Sequence, residues 1–108
     1  MDGRTERLGR NEALFREVNE RIEEVSEGAG AANWLEFLCE CGRRNCLQAV
    51  RMLRSEYEAV RAAPDRFLVA PGHGQSEIER LVLRSVRFHV VEKIGDAGAL
   101  AEALDPRS

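Results

Sequence analysis

The sequence predicts an α+β domain with a small, mainly antiparallel sheet, an N-terminal amphipathic helix and a short second helix. Apolar residues recur at helical spacing between residues 11 and 25. Short runs rich in β-branched and aromatic residues follow between residues 34 and 91, and a cysteine-rich loop interrupts them. We expect residues 1–10 to form a flexible tail and residues 11–108 to form a single domain.

The first helix is predicted from Asn11, which is a suitable N-cap, to the Gly28-Ala29-Gly30 segment, which would end it. Its apolar residues lie three or four positions apart and define one stripe: Leu14, Phe15, Val18, Ile22 and Val25. Charged residues occupy the remaining positions. We therefore expect the apolar stripe to pack on the sheet.

The middle of the chain predicts a hairpin, a helix and a strand. Residues 34–39 and 46–53 form the two strands of the hairpin, with a loop at 40–45 between them. Residues 54–63 form a short helix that ends before Pro64, with Leu53, Tyr57 and Val60 on its inner face. Residues 66–70 form the next strand.

Residues 77–92 fit two predictions. Ser76 and Glu79 match a capping box, which would begin a helix. Leu81–Leu83 and Arg87–Val91 instead fit two strands around a tight turn, and the β-branched and aromatic residues of the second run favour this hairpin. Residues 97–104 predict a short C-terminal helix or a frayed end.

The composition predicts a small core and a mixed-charge surface. Hydrophobic residues make up 44% of the 108 residues, aromatic residues 6% and charged residues 32%, with a net charge of -3. A domain of this size gains stability from a metal, a disulfide or a partner subunit. The acidic balance disfavours nucleic-acid binding, which depends on neutralising phosphates.

The N-terminal residues are polar and are not followed by an apolar run, so the sequence predicts no signal peptide. No apolar stretch approaches the roughly 20 residues of a membrane span. We expect a cytoplasmic protein without membrane association, in which the cysteines remain reduced. An odd number of cysteines, three in this chain, also argues against a closed disulfide framework.

All three cysteines, Cys39, Cys41 and Cys46, lie within eight residues. Cysteine thiolates and histidine are the ligands of structural zinc sites, which are tetrahedral, so the cluster predicts a zinc loop that needs one more ligand. His73 is favoured because it lies between two glycines after a predicted strand. His89 is flanked by Phe88 and Val90 within a strand, where a core or cross-strand role is expected; His89 or water nevertheless stays an alternative ligand.

Other interpretations of the cluster stay open. The thiols could be buried apolar residues, or a redox-active set whose pKa values Arg43 and Arg44 lower. A catalytic zinc would need a water ligand and a base, and Glu40 is the acidic residue inside the loop, where a solvated charge is the simpler expectation. An iron–sulfur cluster normally needs four thiolates. No catalytic residue is predicted.

The chain resembles a family of small bacterial proteins that carry a Cys-Glu-Cys-Gly…Cys cluster and a Pro-Gly-His loop. The segments that carry the resemblance are residues 11–21, 37–42 with Cys46, 56–61, 67–73 and 90–93. The resemblance implies an organised site of cysteine and histidine. It implies no assigned activity or substrate.

These observations favour a small zinc-stabilised regulatory or protein-interaction module, with a protein partner. A nucleic-acid-binding zinc protein is the first alternative, and its positive charge would come from Arg43, Arg44, Arg51, Arg54, Arg61 and Arg66. A thiol redox sensor or a small zinc enzyme is the second. The sequence does not predict the oligomeric state.

Overall fold

The structure is a computed structural model that describes residues 2–26, 33–75 and 77–107. Within these residues it confirms the α+β class, and the strands are divided between two antiparallel sheets. The elements in chain order are α1 Gly3–Val25, β1 Trp34–Leu38, β2 Ala49–Leu53, α2 Arg54–Arg61, β3 Arg66–Val69, β4 Glu79–Arg84, β5 His89–Lys93 and α3 Gly95–Ala103.

The first sheet is the predicted hairpin of β1 and β2, in which Phe37 pairs with Val50. The second sheet has the order β3-β5-β4. Its β4–β5 pair confirms the hairpin predicted within residues 77–92, and the alternative helix is wrong because Glu79 begins a strand. Ser76 lies outside the described residues. A register shift between Leu81 and Leu83 interrupts the ladder.

The core lies where α2 and both sheets meet. Phe37 and Tyr57 stack with ring centroids 4.3 Å apart, and both side chains are fully buried. Val60 is also buried, so two of the three residues predicted for the inner face of α2 contribute to the core. Phe67 and Leu68 of β3 complete this centre.

Helix α1 begins earlier than the sequence indicated. It starts at Gly3, with Asp2 as the N-cap residue whose side chain accepts a hydrogen bond from the N–H of Thr5 at 2.7 Å. The predicted start at Asn11 is therefore wrong, and most of the segment assigned to a tail is helical. The predicted end at residues 28–30 lies outside the described residues.

The orientation of α1 also differs from the prediction. Its buried residues are Glu12, Arg16, Asn19 and Glu23. Of the predicted apolar stripe, Leu14, Val18 and Val25 are exposed, whereas Phe15 is partly buried and Ile22 packs at the edge of the core. The polar face is inside because partners exist there: the guanidinium of Arg16 lies 3.7 Å from the ring centroid of Phe67 and donates to the carbonyl of Arg66 at 2.7 Å.

Candidate metal centre

The fold brings Cys39, Cys41, Cys46 and His73 together, although His73 is 27 residues from the nearest cysteine in the chain. The four potential ligand atoms all lie within 4.8 Å of one another. Cys39 and Cys41 are buried, whereas Cys46 and His73 are partly accessible. The cluster could hold a metal ion.

The sulfur–nitrogen distances match tetrahedral coordination. The Nδ1 atom of His73 lies 3.6 Å from the Sγ atom of Cys39 and 3.6 Å from that of Cys46. A tetrahedral zinc ion about 2.3 Å from sulfur and about 2.1 Å from nitrogen holds those two atoms about 3.6 Å apart. His73 therefore already has the spacing from Cys39 and Cys46 that such an ion requires.

Cys39 links the two sheets. It follows β1 directly, and its N–H extends the hairpin ladder by donating to the carbonyl of Gln48 at 2.9 Å. Its Sγ atom accepts a hydrogen bond at 3.1 Å from the N–H of Ala70, which follows β3. A thiolate is a better acceptor than a thiol, so this contact favours the form of Cys39 that binds a metal.

Gly42 makes the turn after Cys41 possible. Its φ angle is +77°, which side-chain-bearing residues rarely adopt. The turn lies against α1, where the side-chain amide of Asn11 donates to the Gly42 carbonyl at 3.1 Å. The chain then closes the loop through a hydrogen bond from the N–H of Cys46 to the carbonyl of Arg43 at 3.1 Å.

His73 lies in a tight turn after β3. Its N–H donates to the carbonyl of Ala70 at 3.0 Å, and Gly72 has a φ angle of +81°. His89 lies outside the cluster in a cross-strand position between Val69 and Arg84. Its Nδ1 atom accepts from the N–H of Gly72 at 3.3 Å. The second histidine thus supports the loop that presents the first.

Glu40 has a role that the sequence analysis missed. Its side chain is fully buried, so the expectation of a solvated loop charge is wrong. One oxygen accepts from the side-chain amide of Asn19 at 2.8 Å and from Tyr57 Oη at 3.4 Å, and the other accepts from the N–H of Leu68 at 3.0 Å. The only sequence signal was a carboxylate between two cysteines. It anchors the loop to α1, α2 and β3.

Burial also changes the proton affinity of the Glu40 carboxyl. Removal from water raises the pKa of its carboxyl, and the nearby Arg16 guanidinium and the Asn19 amide oppose that effect. Every oxygen of the carboxyl is committed to the protein interior. Glu40 therefore has the contacts of a positioning residue and not those of a general base.

The thiols have unequal proton affinities. A hydrogen bond between Cys39 and Cys41 raises the pKa of Cys39, and burial raises it further. The same hydrogen bond lowers the pKa of Cys41 to about 4, aided by the N–H of Arg43. The pair thus shares a proton in the absence of metal. Metal binding displaces that proton.

Three of the six arginines considered for a nucleic-acid surface are engaged in ion pairs within the described ranges. Arg61 is buried and pairs with Glu20 at 2.6 Å and Asp105 at 2.5 Å. Arg66 pairs with Glu92 at 3.1 Å. Arg43, Arg44 and Arg51 are exposed, and Arg54 is partly buried and lies 3.7 Å from Glu23. The structure therefore does not form a continuous basic face from the predicted set.

Comparison with known proteins does not extend this description: no family model, curated protein or solved structure matches the chain. The resemblance to a family of small bacterial proteins stays a prediction. Among the described residues, no helix has both the length and the apolar character needed to cross a membrane. Fold and site together define a small α+β domain with a Cys3His cluster that could bind a metal ion.

Proposed function

We propose that the chain is a zinc-binding protein in which Cys39, Cys41, Cys46 and His73 hold one structural zinc ion. The observation that carries this proposal is the pair of 3.6 Å distances from His73 Nδ1 to two cysteine sulfurs. Three thiolates and one imidazole are a donor set that zinc favours over hard cations such as Mg²⁺ or Ca²⁺.

The proposed ion is structural because the protein supplies all four ligands. A catalytic zinc keeps a position for water, whereas in this proposal His73, which lies in the cluster, would take the fourth position. The ligands come from the segment after β1 and from the turn after β3, so the ion would join the two sheets. For a domain of 108 residues with a small core, such a link adds substantially to stability.

The proposed role is that of a regulatory or protein-interaction module in the cytoplasm. A closed metal site stabilises a fold without taking part in a reaction, so function then resides on the surface. Large apolar side chains are exposed on this surface, among them Trp34, Leu47 and Val86. A surface of this kind is more typical of a protein that contacts other proteins than of one that binds nucleic acid.

Two alternatives have distinct signatures. Nucleic-acid binding would weaken steeply as salt rises, because it depends on displacing counterions from phosphates. A thiol redox sensor would oxidise selectively at one cysteine in mild peroxide. Cys46 is the most accessible of the three thiols and is the position where such oxidation would first be found by mass spectrometry.

The proposal is tested by metal analysis of the purified full chain under reducing conditions. We expect one zinc per chain by native mass spectrometry and by elemental analysis. Removing the metal with a chelator should lower the melting temperature, because metal binding to the native state is coupled to folding. A protein without zinc, whose melting does not change with the chelator, would refute the site.

The two histidines provide a matched pair of variants. His73→Gln removes a proposed ligand and should lower zinc affinity by at least about tenfold. His89→Gln removes the other histidine of the sequence, which accepts a hydrogen bond but lies outside the cluster, and should retain the metal. Equal zinc affinities for the two variants would exclude His73 as the fourth ligand.

A further inference from the structure

Helix α1 presents three apolar residues of its predicted stripe, Leu14, Val18 and Val25, to solvent, although the opposite, polar face is packed inside. These three residues are called the exposed stripe below. Leu14 is 55% and Val18 38% exposed, and they lie one helical turn apart on the outer face. Val25 continues the exposed stripe two turns beyond Val18 and is 77% exposed. On its inner side α1 packs mainly on β1 and α3, and its buried Arg16 and Glu12 reach β3 and β5.

This arrangement is energetically unusual. A helix that packs on its own domain normally buries its apolar face, because burial of charged side chains costs several kcal/mol per uncompensated ion. Here Glu12, Arg16 and Asn19 are at most 2% exposed, while leucine and valine remain in water. An apolar stripe maintained under these conditions is typical of a surface that another chain covers.

The charges beside the exposed stripe indicate the kind of chain. Arg7 and Arg10 are exposed toward the N-terminal end of α1, where Arg10 pairs with the exposed Glu6 at 3.2 Å and Arg7 leaves a net positive charge. Toward its C-terminal end, Glu17 and Glu24 are exposed with a single opposing charge, Arg21, between them. The outer face of α1 therefore has a net positive charge at one end and a net negative charge at the other, with Leu14 and Val18 in between.

We propose that α1 pairs in antiparallel orientation with α1 of a second copy of this chain. A two-fold axis that places Leu14 against Val18 of the second copy brings the basic end of each helix beside the acidic end of the other. Arg7 and Arg10 then lie within about one turn of Glu24 of the second copy. A parallel pair would instead place like charges together. The exposed stripe is self-complementary only in the antiparallel arrangement, as a two-fold contact requires.

The inference names a partner for the interaction role proposed above, but it rests on α1 and not on the metal. Both sides of the contact come from the same surface, so its failure would leave the zinc site unaffected. Conversely, a chain without zinc could still associate through α1. Zinc content and molecular mass are therefore measured on the same samples.

The first experiment is sedimentation equilibrium of the zinc-loaded full chain over about two orders of magnitude in concentration. We expect a reversible dimer, and we expect the double variant Leu14→Glu/Val18→Glu to raise the dissociation constant by at least about tenfold. The control is Val86→Glu, which adds one negative charge, against two in the double variant, at a side chain that is 95% exposed in the β4–β5 connection. It should dimerise like the wild-type protein.

The second experiment tests the orientation by charge exchange. Arg7→Glu and Glu24→Arg each place like charges at both ends of an antiparallel homodimer, so each variant alone should associate more weakly. Mixing them restores opposite charges at both ends and should recover the dimer. Because both positions are exposed, neither variant should change zinc content or the melting temperature appreciably.

Three outcomes would overturn the pairing. They are a wild-type chain that stays monomeric at the highest concentration, a dimer that Leu14→Glu/Val18→Glu leaves intact, and charge-exchanged variants that do not recover on mixing. A dimer that the double variant leaves intact, or charge-exchanged variants that do not recover, would place any dimer contact outside α1. A monomeric chain that captures a different protein would exclude a second copy as the partner. Unfolding of the double variant would be recognised by its loss of zinc, and the charge-exchange pair would then decide.

Discussion

The side-chain amide of Asn19 binds both main-chain polar groups of Leu38, accepting from its N–H at 2.8 Å and donating to its carbonyl at 2.9 Å. The amide also donates to Glu40 at 2.8 Å. A residue of α1 thus continues the hydrogen bonding of β1 at its last residue, immediately before the first ligand of the metal cluster.

Asn19→Ala should destabilise the protein by about 3 kcal/mol, because it removes the side-chain partner of both main-chain groups of Leu38 and one of the hydrogen bonds to the buried carboxylate of Glu40. Urea unfolding of the zinc-loaded protein measures the change. The control is Gln48→Ala, which removes an exposed amide side chain and should cost less than about 0.5 kcal/mol. Similar losses in both variants would contradict the role assigned to Asn19.

Gly42 and Gly72 form a second matched pair, because both have a positive φ angle and only one is crowded. A methyl group on Gly42 would lie 2.7 Å from Glu12 Cγ and 2.8 Å from the carbonyl of Leu8. One on Gly72 would have no neighbour within 4 Å. We expect Gly72→Ala to lower the free energy of unfolding by about 1 kcal/mol, from backbone strain alone. Gly42→Ala should lower it by about 3 kcal/mol or more, because the new methyl group also meets α1, and should weaken zinc binding. Equal costs in urea unfolding would show that the contact of the loop with α1 is unimportant.

Lys93 is buried between the carboxylates of Glu12 and Glu79, and its ammonium group contacts both. Lys93→Met should destabilise the protein by about 3 to 5 kcal/mol, since it leaves two buried carboxylates without a counter-ion. The triple variant Lys93→Met/Glu12→Gln/Glu79→Gln removes all three charges. Chemical denaturation should show that the triple variant regains at least half of the free energy of unfolding that Lys93→Met loses. A triple variant as unstable as Lys93→Met would indicate that packing, and not charge, is responsible.

Glu23 should make stability depend on pH. Burial, followed by the repulsion of Glu58, raises its pKa to about 7 from 4.5. The folded state therefore binds more protons than the unfolded state between these values, and stability falls as pH rises through this window. Glu23→Gln removes the titrating group. The free energy of unfolding of the variant should therefore be about 1 kcal/mol higher than that of the wild-type protein at pH 8 and equal to it near pH 4.5. The value at pH 8 is discounted for the screening of Glu23 by solvent.

The comparison is made between variants at each pH, so that any loss of metal in acid affects both proteins equally. Glu36→Gln, at an exposed position of β1, controls for the loss of one negative charge. If the difference between Glu23→Gln and the wild-type protein did not change between pH 4.5 and 8, the assigned pKa would be wrong.

Local patterns in the sequence predict most of the elements correctly. The β1–β2 hairpin, α2, β3 and the β4–β5 hairpin follow from the alternation of short apolar runs with proline, glycine and charged turns. The three cysteines are close in the sequence, so a shared site is predicted directly. His73 is predicted as the fourth ligand because it lies in a loop between two glycines. In the structure His73 lies in the cluster, although 27 residues separate it from the nearest cysteine in the chain.

The sequence alone therefore determines most of the helices and strands, apart from the first turns of α1, and which side chains are available as ligands, because these properties depend mainly on neighbours in the chain. Only the tertiary structure decides which face of α1 is inside. Helical spacing defines an apolar and a polar face, and hydrophobicity favours burying the first. The choice is reversed because Asn19 and Arg16 bind main-chain groups at the ends of β1 and β3, and Asn19 also holds the carboxylate of Glu40. Those partners lie between 19 and 50 residues away and become adjacent only when the sheets have formed.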